Sequence, residues 1–211
     1  MAAAKFRRRK GARPGEIVEA ALALFSEKGF AATRLDEIAA RAGVSKGALY
    51  LYFATKEDLF GAVVTQAVAP DLERVAAFAR TFEGSFAELL STFVGFLART
   101  VSTGSIGPIA KTVIGESRNF PKLARHWHDA VVMPMLGLMG GAIAEAQARG
   151  EVRPGDPRLY ALQVASPILI GMLWRETFVP TGADPVDLER LADQHVRSLL
   201  HGILERPDGP T

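Results

Sequence analysis

Helix-start signatures punctuate this chain along most of its length, and no other feature restricts its fold as much. Thr33-x-x-Asp36, Thr55-x-x-Asp58 and Ser85-x-x-Glu88 each set a hydroxyl three residues ahead of a carboxylate. At that spacing each side chain can satisfy a backbone N–H that the first turn of a helix leaves free. Asp156-Pro157 and Asp184-Pro185 add a capping carboxylate followed by proline at the first helical position, where a missing N–H costs nothing. Gly29, Gly43, Gly150 and Gly182 mark the stops, since glycine takes the left-handed conformation past a helix end most easily. Between these marks apolar residues recur at three- and four-residue spacing, and no stretch alternates with period two. The chain therefore reads as all-α, with helices expected near 14–28, 35–42, 45–52, 55–80, 85–101, 106–115, 120–149, 156–178 and 184–204.

With 211 residues at 48% hydrophobic the chain can bury a real core, and with no cysteine it has neither a disulfide framework nor a thiolate metal site. The basic N-terminus is followed by a polar stretch rather than an apolar one, so it does not read as a secretory signal, and a cytoplasmic location is expected. The apolar run 161–174 is too short to span a bilayer, and no membrane partner is expected. Enzyme signatures fail: His126 and His128 project to different faces of a helix, and His195 and His201 are six apart, so no metal site is expected. Gly107 to Thr112 ends like a phosphate loop but has Ala110 where glycine is required, and no strand precedes it. The chain is expected to be no enzyme and to need no cofactor.

Charge is concentrated at one end. Residues 1–60 carry 11 Lys and Arg against 7 Asp and Glu, and six of those cations fall within 1–13, an arm that either suits phosphates or is simply solvated. Three short helices follow with almost no linker. Ile17, Ala21, Leu24 and Phe25, then Leu35, Ile38 and Ala39, then Leu49 and Phe53, supply a small three-helix core. In the turn Arg41-Ala42-Gly43-Val44-Ser45, Gly43 permits the sharp bend, Val44 plugs the core and Ser45 caps the next helix, which is helix-turn-helix chemistry. The outer face of that next helix carries Lys46, Tyr50 and Tyr52, with Gly47 and Ala48 small enough for close approach to base edges. Thr33 and Lys56 flank the unit as clamps for a DNA backbone. The alternative for the two tyrosines is packing against a neighbouring helix.

The run from Thr33 to Phe53, followed by Ala54-Thr55-Lys56-Glu57-Asp58-Leu59 and preceded by Ala23 to Phe30, resembles the tetracycline-repressor (TetR) family over about residues 14–64. The resemblance implies a helical homodimer, usually a repressor, which leaves a palindromic double-stranded DNA operator when a small-molecule effector binds the C-terminal domain. By position it makes Thr33, Ser45, Tyr52 and Lys56 backbone contacts and Lys46, Gly47, Ala48 and Tyr50 the groove-facing set. Asp36, an acid on the DNA side, is read only as a cap. The expected organisation is a basic arm over 1–13, a helix-turn-helix domain over 14–60, an effector and dimerisation domain over 61–205 and a tail over 206–211. The competing reading is a non-enzymatic helical ligand-binding or scaffold protein that keeps a vestigial helix-turn-helix.

In the C-terminal part, aromatic and Met side chains are either ordinary core or the wall of the cavity that the resemblance implies. Phe93, Phe96, Trp127, Val131, Met135 and Met172 are the candidates, suited to a lipophilic effector. The last two helices have wide apolar faces that either call for a partner or pack entirely within one chain. The resemblance supplies a partner in the same pair of helices from a second subunit, meeting through Leu162, Leu169 and Leu173 on one helix and Leu188, Leu191, His195 and Leu199 on the other. Pro70, inside the long connecting helix, is either a hinge or a fixed kink.

Overall fold

Helix follows helix through residues 13–104 and 106–204, which the computed structural model describes. They are α1 (Arg13–Lys28), α2 (Leu35–Arg41), α3 (Lys46–Tyr50), α4 (Lys56–Thr81), α5 (Phe86–Thr103), α6 (Ile106–Glu116), α7 (Pro121–Ala148), α8 (Pro157–Thr177) and α9 (Leu188–Ile203). The extended backbone makes only an isolated antiparallel bridge, Val152 with Leu204, among the described residues. Apart from Arg13 at the start of α1, the expected basic arm lies outside them, as does the tail.

Most of the punctuation operates as its chemistry requires. Thr55 and Asp58 exchange backbone N–H bonds at 3.1 Å each, and Glu88 and Ser85 do the same at 2.9 and 3.3 Å. Asp156 accepts from the N–H of Arg158 at 2.8 Å. Gly29, Gly43, Gly150 and Gly182 all have positive φ, between 65° and 103°. Two starts differ from expectation. α2 is closed by Glu37, whose carboxylate accepts from the N–H of Arg34 at 3.1 Å, because the Thr33 hydroxyl is turned inward and Asp36 faces Lys46. α9 begins at Leu188 rather than near Asp184, because Asp187 accepts from the N–H groups of Glu189 and Arg190 at 3.0 Å and so supplies the cap.

α7 is two α-helical stretches, Pro121–Trp127 and Met133–Ala148, joined by a π-helical turn at His128–Val132. By length and composition alone it is the one unbroken helix among the described residues that could cross a membrane, yet Met139, Ile143 and Ala146 on it are buried in a protein core. α4 continues through Pro70, which withholds the ladder bond that the carbonyl of Gln66 would otherwise receive. The described chain divides into two compact units, one holding residues up to Gln66 with Thr112–His126, the other holding Ala67–Lys111 and the residues from Trp127 onward. The boundary within α4 therefore falls at Gln66, the residue four before Pro70. In the second unit α9 packs on α5 and α8, and α8 packs on α7, around a core that includes Leu90, Val94, Ile143, Val164 and Val196.

Candidate nucleic-acid interface and cavities

The helix-turn-helix is built on an apolar core. Ile17, Ala21, Ile38 and Leu49 are completely buried, and Phe25, Phe30 and Phe60 meet with ring centroids 5.2 to 5.8 Å apart. Gly43, at φ 65°, turns the chain so that the N–H of Val44 reaches back to the carbonyl of Ala39 at 3.0 Å. Ser45 then caps α3, its hydroxyl accepting from the N–H of Ala48 at 3.2 Å. Leu49 points into the core, so the opposite face must point out: Lys46, Gly47, Tyr50, Leu51 and Tyr52 are exposed, and Ala48 is half-buried. Tyr50 and Tyr52 are both 45% exposed, so each packs in part against the chain and in part faces solvent. Leu51, at 83%, is the most open large apolar side chain among the described residues and had no signal beyond its place in the run.

Two expected backbone clamps are engaged within the protein. Thr33 is buried, and its hydroxyl donates to the carbonyls of Gly29 at 2.7 Å and Leu24 at 3.3 Å, so it fastens the end of α1 instead of facing solvent. The Lys56 ammonium donates to the carbonyls of Phe30, Ala31 and Thr33 at 2.7, 3.1 and 2.9 Å, which uses all three of its protons. It also lies 4.4 Å from the centre of the Phe30 ring, and burial pulls its pKa below the ordinary lysine value, against the opposing charges of Glu57 and Glu116. Both residues are corrected from DNA clamps to parts of the scaffold that fastens the end of α1 and the loop after it. Ser45 keeps an exposed position beside α3.

Asp36 is likewise no cap. Its carboxylate holds Lys46, with Nζ 2.9 Å from Oδ1, and this bond raises the lysine pKa. Two more exposed ion pairs, Lys28 with Glu37 at 3.0 Å and Arg41 with Glu27 at 2.6 Å, tie α1 to α2.

Two cavities lie among the described residues of the second unit. The larger, of about 720 Å³, lies between the end of α4, the start of α5 and the middle of α7, with Arg80, Phe82, Gly137 and Glu145 among its walls. The smaller, of about 210 Å³, is lined mainly by Val75, Phe78, Phe93 and Phe96, with Arg74 and Arg99 at its edge. Of the six expected effector residues only Phe93 and Phe96 border either cavity. Met172 is corrected to core, being 2% exposed, while Trp127 and Met135 pack partly buried against that core and Val131 sits half-buried in the π turn.

The expected apolar faces of the last two helices also part company. On α9, Leu188 is 4% exposed and is corrected to intrachain packing, while Leu191 and Leu199 are half-buried, packed against the chain's own core with part of their surface still open. His195 is half-buried with its Nε2 enclosed and unbonded. On α8, Leu162 and Leu169 are exposed together with Leu159, Ile170 and Trp174, while Leu173 is half-buried.

Comparison with known proteins agrees with this architecture. Residues 17–63 match the family described as bacterial regulatory proteins, tetR family, and residues 81–195 match the tetracyclin repressor-like C-terminal domain. The fatty acid metabolism regulator protein of Bacillus subtilis is 25% identical over 148 residues, covering 68% of this chain and 73% of that protein. Other curated regulators match over 43 to 66 residues, spanning only 15 to 32% of their own length. A crystal structure of a TetR-family transcriptional regulator from Mesorhizobium loti aligns over 94% of this chain and all of that one, with TM-score 0.73 and 26% identity. The regulator FadR of B. subtilis, solved with stearoyl-CoA, aligns over 90% of this chain and 98% of that one, with TM-score 0.73 and 21% identity.

Proposed function

Because this chain belongs to the TetR family of bacterial regulatory proteins, we propose that it is a ligand-responsive repressor that binds a palindromic DNA operator as a homodimer and leaves it when a lipophilic small molecule binds the second unit. The observation that carries the reading is the outward surface of α3 and the turn after it, where Lys46, Tyr50 and Tyr52 are exposed over a buried Leu49. Two half-open phenols, one on a five-residue helix and one in the turn after it, keep their hydroxyls available to solvent, and in a major groove they donate to phosphates and pack on thymine methyls. Ser45 joins them as a backbone contact, and Gly47 and Ala48 allow the approach. The exposed apolar row on α8 supports a two-fold partner helix from a second copy. The apolar cleft at Phe93 and Phe96 supports an effector with a hydrocarbon part, and the acyl thioester bound by the B. subtilis neighbour is the natural first probe.

Equilibrium binding of the purified protein to randomised duplex DNA tests this reading. A preferred palindrome with half-sites about one helical turn or more apart is expected. Tyr50→Ala is expected to weaken it by about 1–3 kcal/mol per half-site. Stearoyl-CoA is expected to release the parent from DNA and the Phe96→Ala variant less readily. Equal binding to every sequence at every salt concentration would remove the repressor reading.

A further inference from the structure

The ion pair between Asp36 of α2 and Lys46 of α3 lies on the same exposed surface as Tyr50. Lys46 Nζ is 2.9 Å from Oδ1 and 3.1 Å from Oδ2 of Asp36, and 6.0 Å from the centre of the Tyr50 ring. The two side chains keep 49% and 61% of their surface in solvent, so the pair contributes little to stability. A carboxylate on a surface that meets polyanionic DNA opposes attachment unless it has something to accept from. Its place in the first turn of α2 is favoured by the helix dipole, and its place beside Lys46 gives it a partner on the same surface.

We propose that Asp36 and Lys46 together read a single G·C base pair in each half-site, the ammonium donating to guanine O6 and N7 and the carboxylate accepting from the cytosine N4 amino group. The inference rests on the DNA-binding reading above. In the major groove a G·C pair shows two acceptors and then a donor, N7, O6 and N4–H₂. O6 and N4 are hydrogen-bonded to each other, and so stand roughly 2.9 Å apart. The ammonium nitrogen and carboxylate oxygen of the protein have the matching separation, 2.9 Å, and the complementary order. Neither group must abandon the other, because ammonium has three protons and a carboxylate about four acceptor sites. An A·T pair fits less well. It sets its donor between two acceptors and crowds the outer one with the thymine methyl. Pairing also makes the site neutral, so it is not drawn to phosphate at arbitrary sequences, where an isolated lysine would be.

The test is base preference at every operator position, measured for the parent, Asp36→Ala and Lys46→Ala at several salt concentrations. Both variants should lose discrimination at the same G·C position in each half-site, by roughly 5- to 100-fold. Asp36→Ala should also steepen the fall of log K with log salt by roughly 0.9 per subunit, as the freed Lys46 turns to phosphate. Asp36 is exposed and bonds to no group but Lys46 among the described residues, and alanine favours helix, so an unchanged melting curve is expected alongside. If Asp36→Ala keeps the preference that Lys46→Ala loses, or the two relax different positions, the pair does not read as a unit. If the parent has no preferred sequence, the DNA-binding reading itself fails, a result distinct from either.

Discussion

The Lys56 ammonium donates to the carbonyl of Thr33 at 2.9 Å, while the hydroxyl of Thr33 donates back to the carbonyl of Gly29 at 2.7 Å, so the two residues close the α1–α2 loop from both sides. Charge-assisted bonds of this kind are the stronger ones, and Lys56 makes three. Lys56→Met is therefore expected to lower stability by about 1–3 kcal/mol, read as a drop of several degrees in Tm. Its ammonium has no proton left for a phosphate. The salt dependence of DNA binding should consequently keep the parent's slope, and a slope shallower by one ion per subunit would return Lys56 to the DNA surface.

Leu188 and Gly171 meet where α9 crosses α8. A Cβ at Gly171 would stand 2.3 Å from Cδ2 of Leu188 and 3.1 Å from Cδ2 of Leu191. Leu188 is buried and has little room to rotate away. Gly171→Ala is accordingly expected to cost about 1–3 kcal/mol through overpacking, and Leu188→Ala about 2–5 kcal/mol through the cavity it leaves. Urea unfolding of the two variants checks both. A Gly171→Ala protein as stable as the parent would mean that the helices slide apart freely.

These contacts separate what was legible in the sequence from what was not. Helix starts at Thr55, Ser85 and Asp156 and the four glycine stops were legible because a cap and its partner lie within a few residues, so their chemistry is local. Thr33 was misread because it has the same local spacing to Asp36 as a cap, yet its hydroxyl is claimed by carbonyls four and nine residues earlier. Lys56 was misread for the same reason, since its partners lie 23 to 26 residues away. The outward face of α3 followed from Leu49 alone. Which apolar face of α8 and α9 is spent inside the chain did not follow from periodicity, because both helices are apolar on wide arcs and only packing chooses. The π turn in α7 left no compositional mark.

Acid should loosen both units through identifiable carboxylates. The Arg41 guanidinium lowers the pKa of Glu27, and Lys28 with the Arg34 N–H lowers that of Glu37. In the second unit the Phe86 N–H, with Arg149, lowers that of Glu151. A carboxyl whose folded pKa lies below its unfolded value stabilises the fold above the unfolded value, and that contribution disappears as pH falls through the folded one. Stability should therefore be level above the ordinary value of 4.5 and decline below it. Replacing all three by Gln should lower the plateau and flatten the acid limb of a Tm-against-pH curve. An unchanged acid limb would mean that other carboxylates govern it.

The dimer proposed above puts α8 and α9 in different roles, which single charges can separate. Ile170 is 62% exposed in the single chain, within the apolar row that also holds Leu162 and Leu169, so a carboxylate there meets water until a partner covers it. Ile170→Glu is expected to fold with the parent's helical content but to sediment as a monomer, because dimerisation would bury an unpaired charge. Its operator affinity should fall steeply, since each monomer reaches only one half-site. Leu188→Glu places the same charge in the chain's own core, where no partner is needed for burial, and it is expected to lose the native fold outright. Sedimentation equilibrium with circular dichroism on the two variants reads the difference. An Ile170→Glu protein that stays dimeric would move the interface off the exposed row of α8, and a folded Leu188→Glu monomer would return α9 to the interface.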